Sequence, residues 1–232
     1  TAYIPETQMR EYFLPTFEAA VEAGSLSVMI NSGDVNGIPV HADKGILTDL
    51  LRTELRFDGV AVTDWEDIIK LHQFHKVAPT LKEAVKMAIN AGIDMSMVPN
   101  DYEFSDLLLE LVNEGEVPMS RIDESVRRIL LMKQRLGLFE DPFTPDNHEY
   151  PLVASDSFVN HSYQIAAEAI TLLKNANGAL PISQDKRIFV TGPMANSLTM
   201  INGSWGRTWQ GTDEQWDDTT KNTILGSILA NF

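Results

Sequence analysis

The chain has 232 residues, which allows one large domain or two modest ones, and its 44% hydrophobic composition is enough to bury a sizeable core. Its 18 basic and 33 acidic residues give a formal net charge of −15, which repels phosphate backbones and anionic lipids and excludes nucleic acid as an expected partner. Cysteine is absent, which excludes disulfides, thiolate metal sites and cysteine nucleophiles, and no run of about 18 apolar residues predicts a membrane span.

Apolar strand patterns alternate with helical patterns through the first 140 residues. Short apolar runs predict buried strands at 26–30, 59–63 and 93–98. Apolar residues at helical spacing predict helices at 9–23, 46–55, 80–91, 106–113 and 120–136. Capping signatures precede two of these helices, at Thr80 with Glu83 and at Ser120 with Asp123. Buried strands separated by helices are typical of parallel α/β architecture.

The later part of the chain predicts a linker and the beginning of a second domain. Proline and short polar residues without an apolar period predict a linker, which we place at 141–158, between domains at 1–140 and 159–232. In the second stretch, helices are predicted at 163–174 and near the C-terminus, and a strand is predicted at 187–191. Only the first part of an α/β domain fits in this length.

Asp64 is the first candidate for chemistry, because it follows a predicted parallel strand where α/β folds place their ligands. The alternative is that Asp64 caps the following helix, with Glu66 and Asp67 complementing the positive end of that helix. Trp65 favours a sugar site, because an indole ring stacks on the apolar face of a pyranose while its N–H remains available.

Several other residues are candidates with a structural alternative. Trp205 and Trp209 lie among glycines rather than apolar neighbours, which favours presentation to a ligand. Met97 ends a predicted strand, where its side chain either completes the core or reaches a ligand. His72 and His75 have a spacing compatible with metal binding but no third ligand at a recognised spacing, so no metal site is predicted.

The loops after the first predicted strand supply two more groups. The polar segment 31–36, which contains Ser32 and leads into an Asn36-Gly37 turn signal, either binds hydroxyl groups or forms a plain turn. His41, Asp43 and Lys44 line a pocket or belong to a surface loop that leads into a helix.

Several of these segments together resemble glycoside hydrolase family 3, most closely its β-glucosidase and β-glucan exohydrolase branch. The resemblance covers nearly the whole chain and is carried by Ser27-Val28-Met29-Ile30, Val35-Asn36-Gly37-Ile38-Pro39, Leu51-Arg52-Thr53-Glu54-Leu55, Phe57-Asp58-Gly59-Val60-Ala61-Val62-Thr63-Asp64-Trp65, Ala91-Gly92-Ile93-Asp94-Met95 and Gly137-Leu138-Phe139. It implies the C-terminal part of a (β/α)8 barrel followed by the first part of an α/β sandwich domain.

The resemblance also implies roles for individual residues. Asp64 matches the catalytic nucleophile, and Trp65 and Trp209 match two rings that clamp the sugar on the leaving-group side, with Trp205 beside the latter. Lys70 stands where plant members have an arginine, and Ser32 stands where the family has a tyrosine. The acid/base glutamate and a glycone-binding Lys-His pair are expected outside this chain, which by itself is expected to be inactive.

The expected function is a retaining, exo-acting β-glucosidase that hydrolyses terminal non-reducing β-D-glucosyl residues of glucan- or xyloglucan-type saccharides without a cofactor. The expected partners are a β-glucoside oligosaccharide and the remaining segments of the parent enzyme. A periplasmic or secreted location is expected from the family, although no signal peptide is visible. The start without Met suggests a mature or excised piece.

Three alternatives are weighed against this function. The chain could be a non-catalytic sugar-binding or assembly fragment of such an enzyme, or part of a β-N-acetylglucosaminidase of the same family. The Asp64-Trp65 pair favours a plain hexose over the latter. A nucleotide-binding α/β domain, suggested by Thr191-Gly192-Pro193, is disfavoured because no glycine-rich phosphate fingerprint is present.

Overall fold

The computed structural model describes residues 1–100, 102–143, 151–206 and 208–232. The chain divides into two compact units, Thr1–Asp146 and Asn147–Phe232. The boundary falls within the predicted linker, of which residues 144–150 lie outside the described residues. Among the described residues no helix has the length and apolarity needed to cross a bilayer.

The first unit is an α/β structure. Its elements in chain order are α1 (Glu6–Gln8), a π-helical segment (Met9–Phe13), α2 (Leu14–Glu22), β1 (Ser27–Met29), β2 (Asp34–Val35), β3 (Ile38–Pro39), a 3-10 turn (Val40–Ala42), a second π-helical segment (Gly45–Glu54), β4 (Val60–Trp65), α3 (Asp67–Gln73), α4 (Leu81–Ala91), β5 (Met95–Met97), α5 (Glu103–Asn113) and α6 (Met119–Arg135).

The three predicted strands form one parallel sheet in the order β1-β4-β5. Ser27 pairs with Val60 on one side of β4, and Trp65 pairs with Met97 on the other. The central strand is buried on both faces, as parallel strands covered by helices are. The buried apolar face of helix α4, formed by Ala84, Val85, Ala88 and Ile89, packs against α3, α5 and the 3-10 turn and belongs to the same core as Ala61 of β4.

Local sequence signals account for some of the element ends. The Thr80 hydroxyl caps α4 by accepting a hydrogen bond from the Glu83 N–H at 3.2 Å. The Asn36-Gly37 turn joins β2 to β3, and both residues have the positive φ (52° and 85°) that such a tight hairpin requires. The predicted cap at Ser120 is wrong: α6 begins at Met119, because the carbonyl of the preceding proline already accepts the Arg121 N–H at 2.9 Å.

A buried carboxylate joins the amino ends of β4 and β5 to the surrounding helices. Asp94 immediately precedes β5, and its side chain is fully buried. Its two oxygens accept hydrogen bonds from Ala61 N, Arg52 Nη2, Ser125 Oγ, Arg121 Nη1 and Nη2, and Arg128 Nη1, at 2.5–3.3 Å. Burial alone would raise the pKa of Asp94, but the hydrogen bond from Ala61 and the arginine charges outweigh it and hold the pKa below its usual value.

The regular elements of the described part of the second unit are helical, and long irregular segments join them. The unit contains α7 (Asp156–Ala169), α8 (Leu198–Asn202) and α9 (Ile224–Asn231), with 3-10 turns at Ala176–Gly178, Pro193–Asn196 and Glu214–Trp216. The last helix agrees with the helix predicted near the C-terminus. Residues 151–206 and 208–232 contain no strand, so the strand predicted at 187–191 is wrong. A strand needs a hydrogen-bonded neighbour, and Phe189 is 88% exposed here instead.

The helix predicted at 163–174 lies earlier in the chain. It begins at Asp156, where the Ser155 hydroxyl accepts a hydrogen bond from the Phe158 N–H, and it ends at Ala169. The chain becomes extended at Ile170, where β-branched residues that restrict side-chain rotamers in a helix follow one another. Apolar residues keep a helical spacing beyond Ala169, so this spacing predicted an end that lies too late in the chain.

We expect Asp94→Asn to destabilise the full-length protein by about 3–5 kcal/mol. The amide loses one acceptor oxygen and the negative charge, which leaves three buried or half-buried arginines without their buried counterion, and Arg121 and Arg128 keep only the exposed Glu124. Chemical denaturation measures the change in the free energy of unfolding.

Asp58→Asn is the matched control, because Asp58 also pairs with an arginine, Arg135, at 2.9 Å, but its side chain is 71% exposed. Its loss should cost less than about 1 kcal/mol. Equal effects of the two substitutions would contradict the central role of Asp94.

Candidate active site

The candidate site lies at the carboxyl end of the central strand. Asp64 and Trp65 are the last two residues of β4, next to Met97 at the end of β5. The loop after β1 approaches from the other side and carries Ser32. Strand ends of a parallel sheet meet at one edge, which is why these polar side chains converge.

Asp64 is half-buried, and each of its carboxylate oxygens accepts a hydrogen bond. The backbone N–H of Trp65 donates to Oδ1 at 2.6 Å, and the Ser32 hydroxyl donates to Oδ2 at 3.3 Å. The structure thus brings together Asp64 and Ser32, which the sequence had placed on separate segments. These two donors orient the carboxylate toward the edge of the sheet.

Asp64 does not cap the following helix. The residue at the N-cap of α3 is Glu66, which makes no side-chain capping bond. Glu66 has a left-handed backbone (φ 58°), a costly conformation for a residue with a side chain, and its carboxylate accepts a hydrogen bond from Asn100 Nδ2 at 3.2 Å. The capping alternative for Asp64 is therefore wrong.

Strand β5 fixes the backbone on which Asp64 stands. The fully buried Thr63 hydroxyl accepts a hydrogen bond from the Met97 N–H and donates one to the Asp64 carbonyl, both at 2.8 Å. The Glu66 N–H donates to the Met97 carbonyl at 2.9 Å. Met97 thus anchors the turn through its backbone, and its side chain is half-buried. This anchoring role of Thr63 was not predicted from the sequence.

Lys70 is engaged with a second carboxylate of the same turn. Its Nζ donates to Asp67 Oδ1 at 2.6 Å, and its side chain is 40% exposed. Asp67 itself is buried, and its other oxygen faces His41 Nε2 at 3.5 Å. The surface-loop alternative for His41 is wrong, since this residue is 2% exposed. Sequence reasoning treated Asp67 only as a complement to the helix dipole.

The two other histidines of this region do not converge on a metal-like cluster. His72 Nδ1 lies 3.0 Å from the Ala78 carbonyl, which accounts for its orientation. Across the described part of the chain, no group of three His, Cys, Asp or Glu residues could hold a metal ion.

Trp205 and Trp209 lie together in one loop of the second unit. Their rings meet edge to face with centroids 6.4 Å apart. The backbone N–H of Trp205 donates to the Trp209 carbonyl at 2.9 Å. Trp205 is 83% exposed and Trp209 is 62% exposed. The loop closes tightly because Gly211 approaches the backbone of Gly203, where a Cβ atom would lie 1.7 Å from the carbonyl oxygen.

Comparison with known proteins identifies a family. The model of the glycosyl hydrolase family 3 N-terminal domain matches residues 1–132. A lysosomal beta glucosidase of Dictyostelium discoideum is 49% identical over 98% of this chain and 28% of the relative. A periplasmic beta-glucosidase of Salmonella typhimurium is 34% identical over 83% of this chain and 26% of the relative.

Solved structures agree with the family match. The crystal structure of a beta-glucosidase from Listeria innocua superposes on the whole of this chain with a TM-score of 0.79 at 27% sequence identity, and 31% of that protein is covered. The chain therefore spans less than a third of the length of these relatives.

We expect Thr63→Val to destabilise the protein by about 1–3 kcal/mol, because the isosteric side chain leaves the buried Met97 N–H and the Asp64 carbonyl without their partner. Thr63→Ser keeps the hydroxyl and loses only a methyl group, which costs about 1 kcal/mol. The free energy of unfolding of the two variants separates these terms. A valine variant as stable as the serine variant would show that the hydroxyl does not anchor the turn.

Proposed function

We propose that this chain, which belongs to glycosyl hydrolase family 3, is part of a retaining, exo-acting β-glucosidase that removes terminal non-reducing β-D-glucosyl residues from oligo- or polysaccharides. The observation that carries the proposal is the Asp64 carboxylate, oriented by two donors at the end of the central strand and flanked by an exposed indole. The β-glucosidases among the relatives support the substrate class.

Asp64 is the proposed nucleophile. One carboxylate oxygen attacks the anomeric carbon, the bond from that carbon to the leaving oxygen breaks, and a glutamic acid outside this chain donates the proton that the leaving oxygen takes up. Water, deprotonated by the same glutamate, then cleaves the glycosyl ester and restores the carboxylate. The backbone N–H of Trp65 holds Oδ1 in place at 2.6 Å. The attacking atom is therefore Oδ2, which lies on the Ser32 side.

The remaining candidates have proposed roles around the sugar. Trp65 and Trp209 clamp the sugar on the leaving-group side, with Trp205 supporting the second ring through its edge-to-face contact. Ser32 and the Met97 side chain border the glucosyl unit. Lys70 reaches the leaving-group side only by sharing its ammonium with Asp67, to which it is already bonded.

The architecture proposed for the parent protein follows the family. Strands β1, β4 and β5 belong to the C-terminal part of a (β/α)8 barrel at 1–140, and residues 159–232 begin an α/β sandwich domain. The glutamate and the Lys-His pair come from other parts of the protein, so residues 1–232 alone are inactive. Because relatives include a periplasmic and a lysosomal enzyme, we propose a location outside the cytoplasm.

A 2-deoxy-2-fluoroglucoside should label Asp64 in the full-length protein. The fluorine slows hydrolysis of the glycosyl ester, so the labelled peptide can be identified by mass spectrometry. Asp64→Asn should remove both the label and the turnover of an aryl β-glucoside, whereas the exposed Asp58→Asn should retain them. A label on another carboxylate would show that Asp64 is not the nucleophile, and glucoside binding without turnover in the unaltered protein would favour a sugar-binding role.

Trp65→Ala and Trp209→Ala should each lower kcat/KM for an oligosaccharide, because a stacking ring is lost on the leaving-group side. The loss corresponds to about 1–2 kcal/mol of transition-state stabilisation. The effect should be smaller for an aryl glucoside that lacks the second sugar. Phe189→Ala is the control, since Phe189 is an aromatic residue of the second unit that is 88% exposed and lies outside the Gly203–Gly211 loop. Unchanged oligosaccharide kinetics in both variants would contradict the clamp.

A further inference from the structure

Two buried polar atoms face each other beside the turn that carries Asp64. His41 and Asp67 are each 2% exposed, and His41 Nε2 lies 3.5 Å from Asp67 Oδ2. Neither atom has a hydrogen-bond partner among the residues that the structure describes. Burying such atoms unpaired costs about 1–3 kcal/mol for each. Stability alone therefore does not explain why this pair occupies the interior.

The position of the pair points to the turn at 64–67. Asp67 begins α3 directly after the left-handed Glu66, and it ends the turn that Asp64 begins. On the β5 side this turn is fixed by the hydrogen bonds of Thr63 and Glu66 to Met97. On the opposite side, the turn is faced by His41 on the 3-10 turn at Val40–Ala42.

The charges around the pair favour a neutral imidazole as the donor. Burial lowers the pKa of His41, and the neighbouring Lys70 and His75 lower it further, whereas the carboxylates of Asp67 and Asp64 oppose the shift. The Lys70 ammonium already balances Asp67 through Oδ1. A neutral ring offers one N–H to the remaining oxygen, Oδ2, without adding a charge to this buried region.

We propose that His41 is a positioning residue for Asp64: its Nε2–H donates to Asp67 Oδ2 in the substrate complex and fixes the turn at 64–67 for nucleophilic attack. This inference rests on the proposed role of Asp64. A charge-assisted hydrogen bond is about 2.8 Å long, so the pair closes by about 0.7 Å from 3.5 Å. Contacts that serve catalysis are often long without substrate and shorten in the complex.

A residue that only filled the interior would be replaceable by any ring of similar size. A positioning residue needs the N–H at the Nε2 position. His41→Phe removes this donor and keeps a ring. His41→Gln keeps a donor at nearly the same reach, because the glutamine amide nitrogen superposes on Nε2 of histidine, and His41→Asn carries a donor that is too short.

The test measures inactivation of the full-length protein by a 2-deoxy-2-fluoroglucoside, which reports the attack by Asp64 separately from sugar binding. We expect His41→Phe and His41→Asn to lower the limiting inactivation rate and kcat by about 10- to 100-fold, the range expected when a reacting group is misplaced by up to 1 Å. The inhibitor concentration for half-maximal rate and KM should change less than about 2-fold, and His41→Gln should recover most of the rate.

His72→Gln is the matched control, because His72 is a half-buried histidine of α3 whose Nδ1 lies 3.0 Å from the Ala78 carbonyl rather than facing Asp67. Melting temperatures identify variants that fail to fold. If His41→Phe fails to fold, the Gln and Asn variants, which differ only in reach, decide the question. Adding His41→Phe to Asp67→Ala should lower the rate little further, because the contact with His41 is already lost in the Asp67→Ala protein.

The inference is overturned if the folded Phe or Asn variant reacts as fast as His41→Gln. It is also overturned if the loss appears in KM alone. Asp64→Asn separates this result from the proposed function: a protein that is still labelled and active without the Asp64 carboxylate contradicts the nucleophile itself. Loss of labelling in Asp64→Asn together with full rates in His41→Phe contradicts only the positioning role.

Discussion

The first unit depends on one carboxylate, that of Asp94, which ties the amino ends of two parallel strands to two helical segments, the π-helical segment at Gly45–Glu54 and α6. It accepts the Ala61 N–H of β4, while the Asp94 N–H donates to the Ala61 carbonyl at 2.9 Å, so the two strands are joined by both backbone and side chain. Arg52 also reaches the Phe57 and Gly59 carbonyls and thereby closes the loop that leads into β4. Removing the carboxylate would leave the arginines without this negative charge in a region that largely excludes water.

The two ends of β4 differ in how completely their buried polar groups are hydrogen-bonded. The strand has six residues and so spans about 20 Å, with the arginine cluster at its start and Asp64 near its end. At the start of the strand, the buried Asp94 carboxylate accepts six hydrogen bonds. The end carries a left-handed Glu66 and the unpaired atoms of His41 and Asp67. Such strain persists only where the surrounding structure is rigid, and the buried sheet provides that rigidity.

The sequence predicted the features that depend on local chemistry. The three parallel strands were recognisable as short apolar runs, and the Thr80 cap and the Asn36-Gly37 turn follow from the chemistry of single residues. Asp64 was recognisable from its position after a strand. Features that depend on distant partners were missed: the run at 187–191 has a strand composition but no neighbouring strand in the described part of its unit, and burial of His41 depends on α3 and α4 packing over it.

The engagement of Lys70 also bears on how the site treats its substrate. Its ammonium is bonded to Asp67 at 2.6 Å, and Asp67 is buried, so moving the lysine to a sugar hydroxyl would leave a carboxylate without its cation in a region of low dielectric. The hydrogen bond gained at a half-exposed hydroxyl is worth less than that loss. Under the proposed function, the leaving-group side of the site therefore depends on the aromatic surface of Trp65, which is 47% exposed, rather than on ionic contacts. If the proposed function holds, the site binds a second sugar through its apolar face, and we expect such binding to tolerate variation in the linkage between the two sugars because stacking on a ring imposes less directional constraint than hydrogen bonds do.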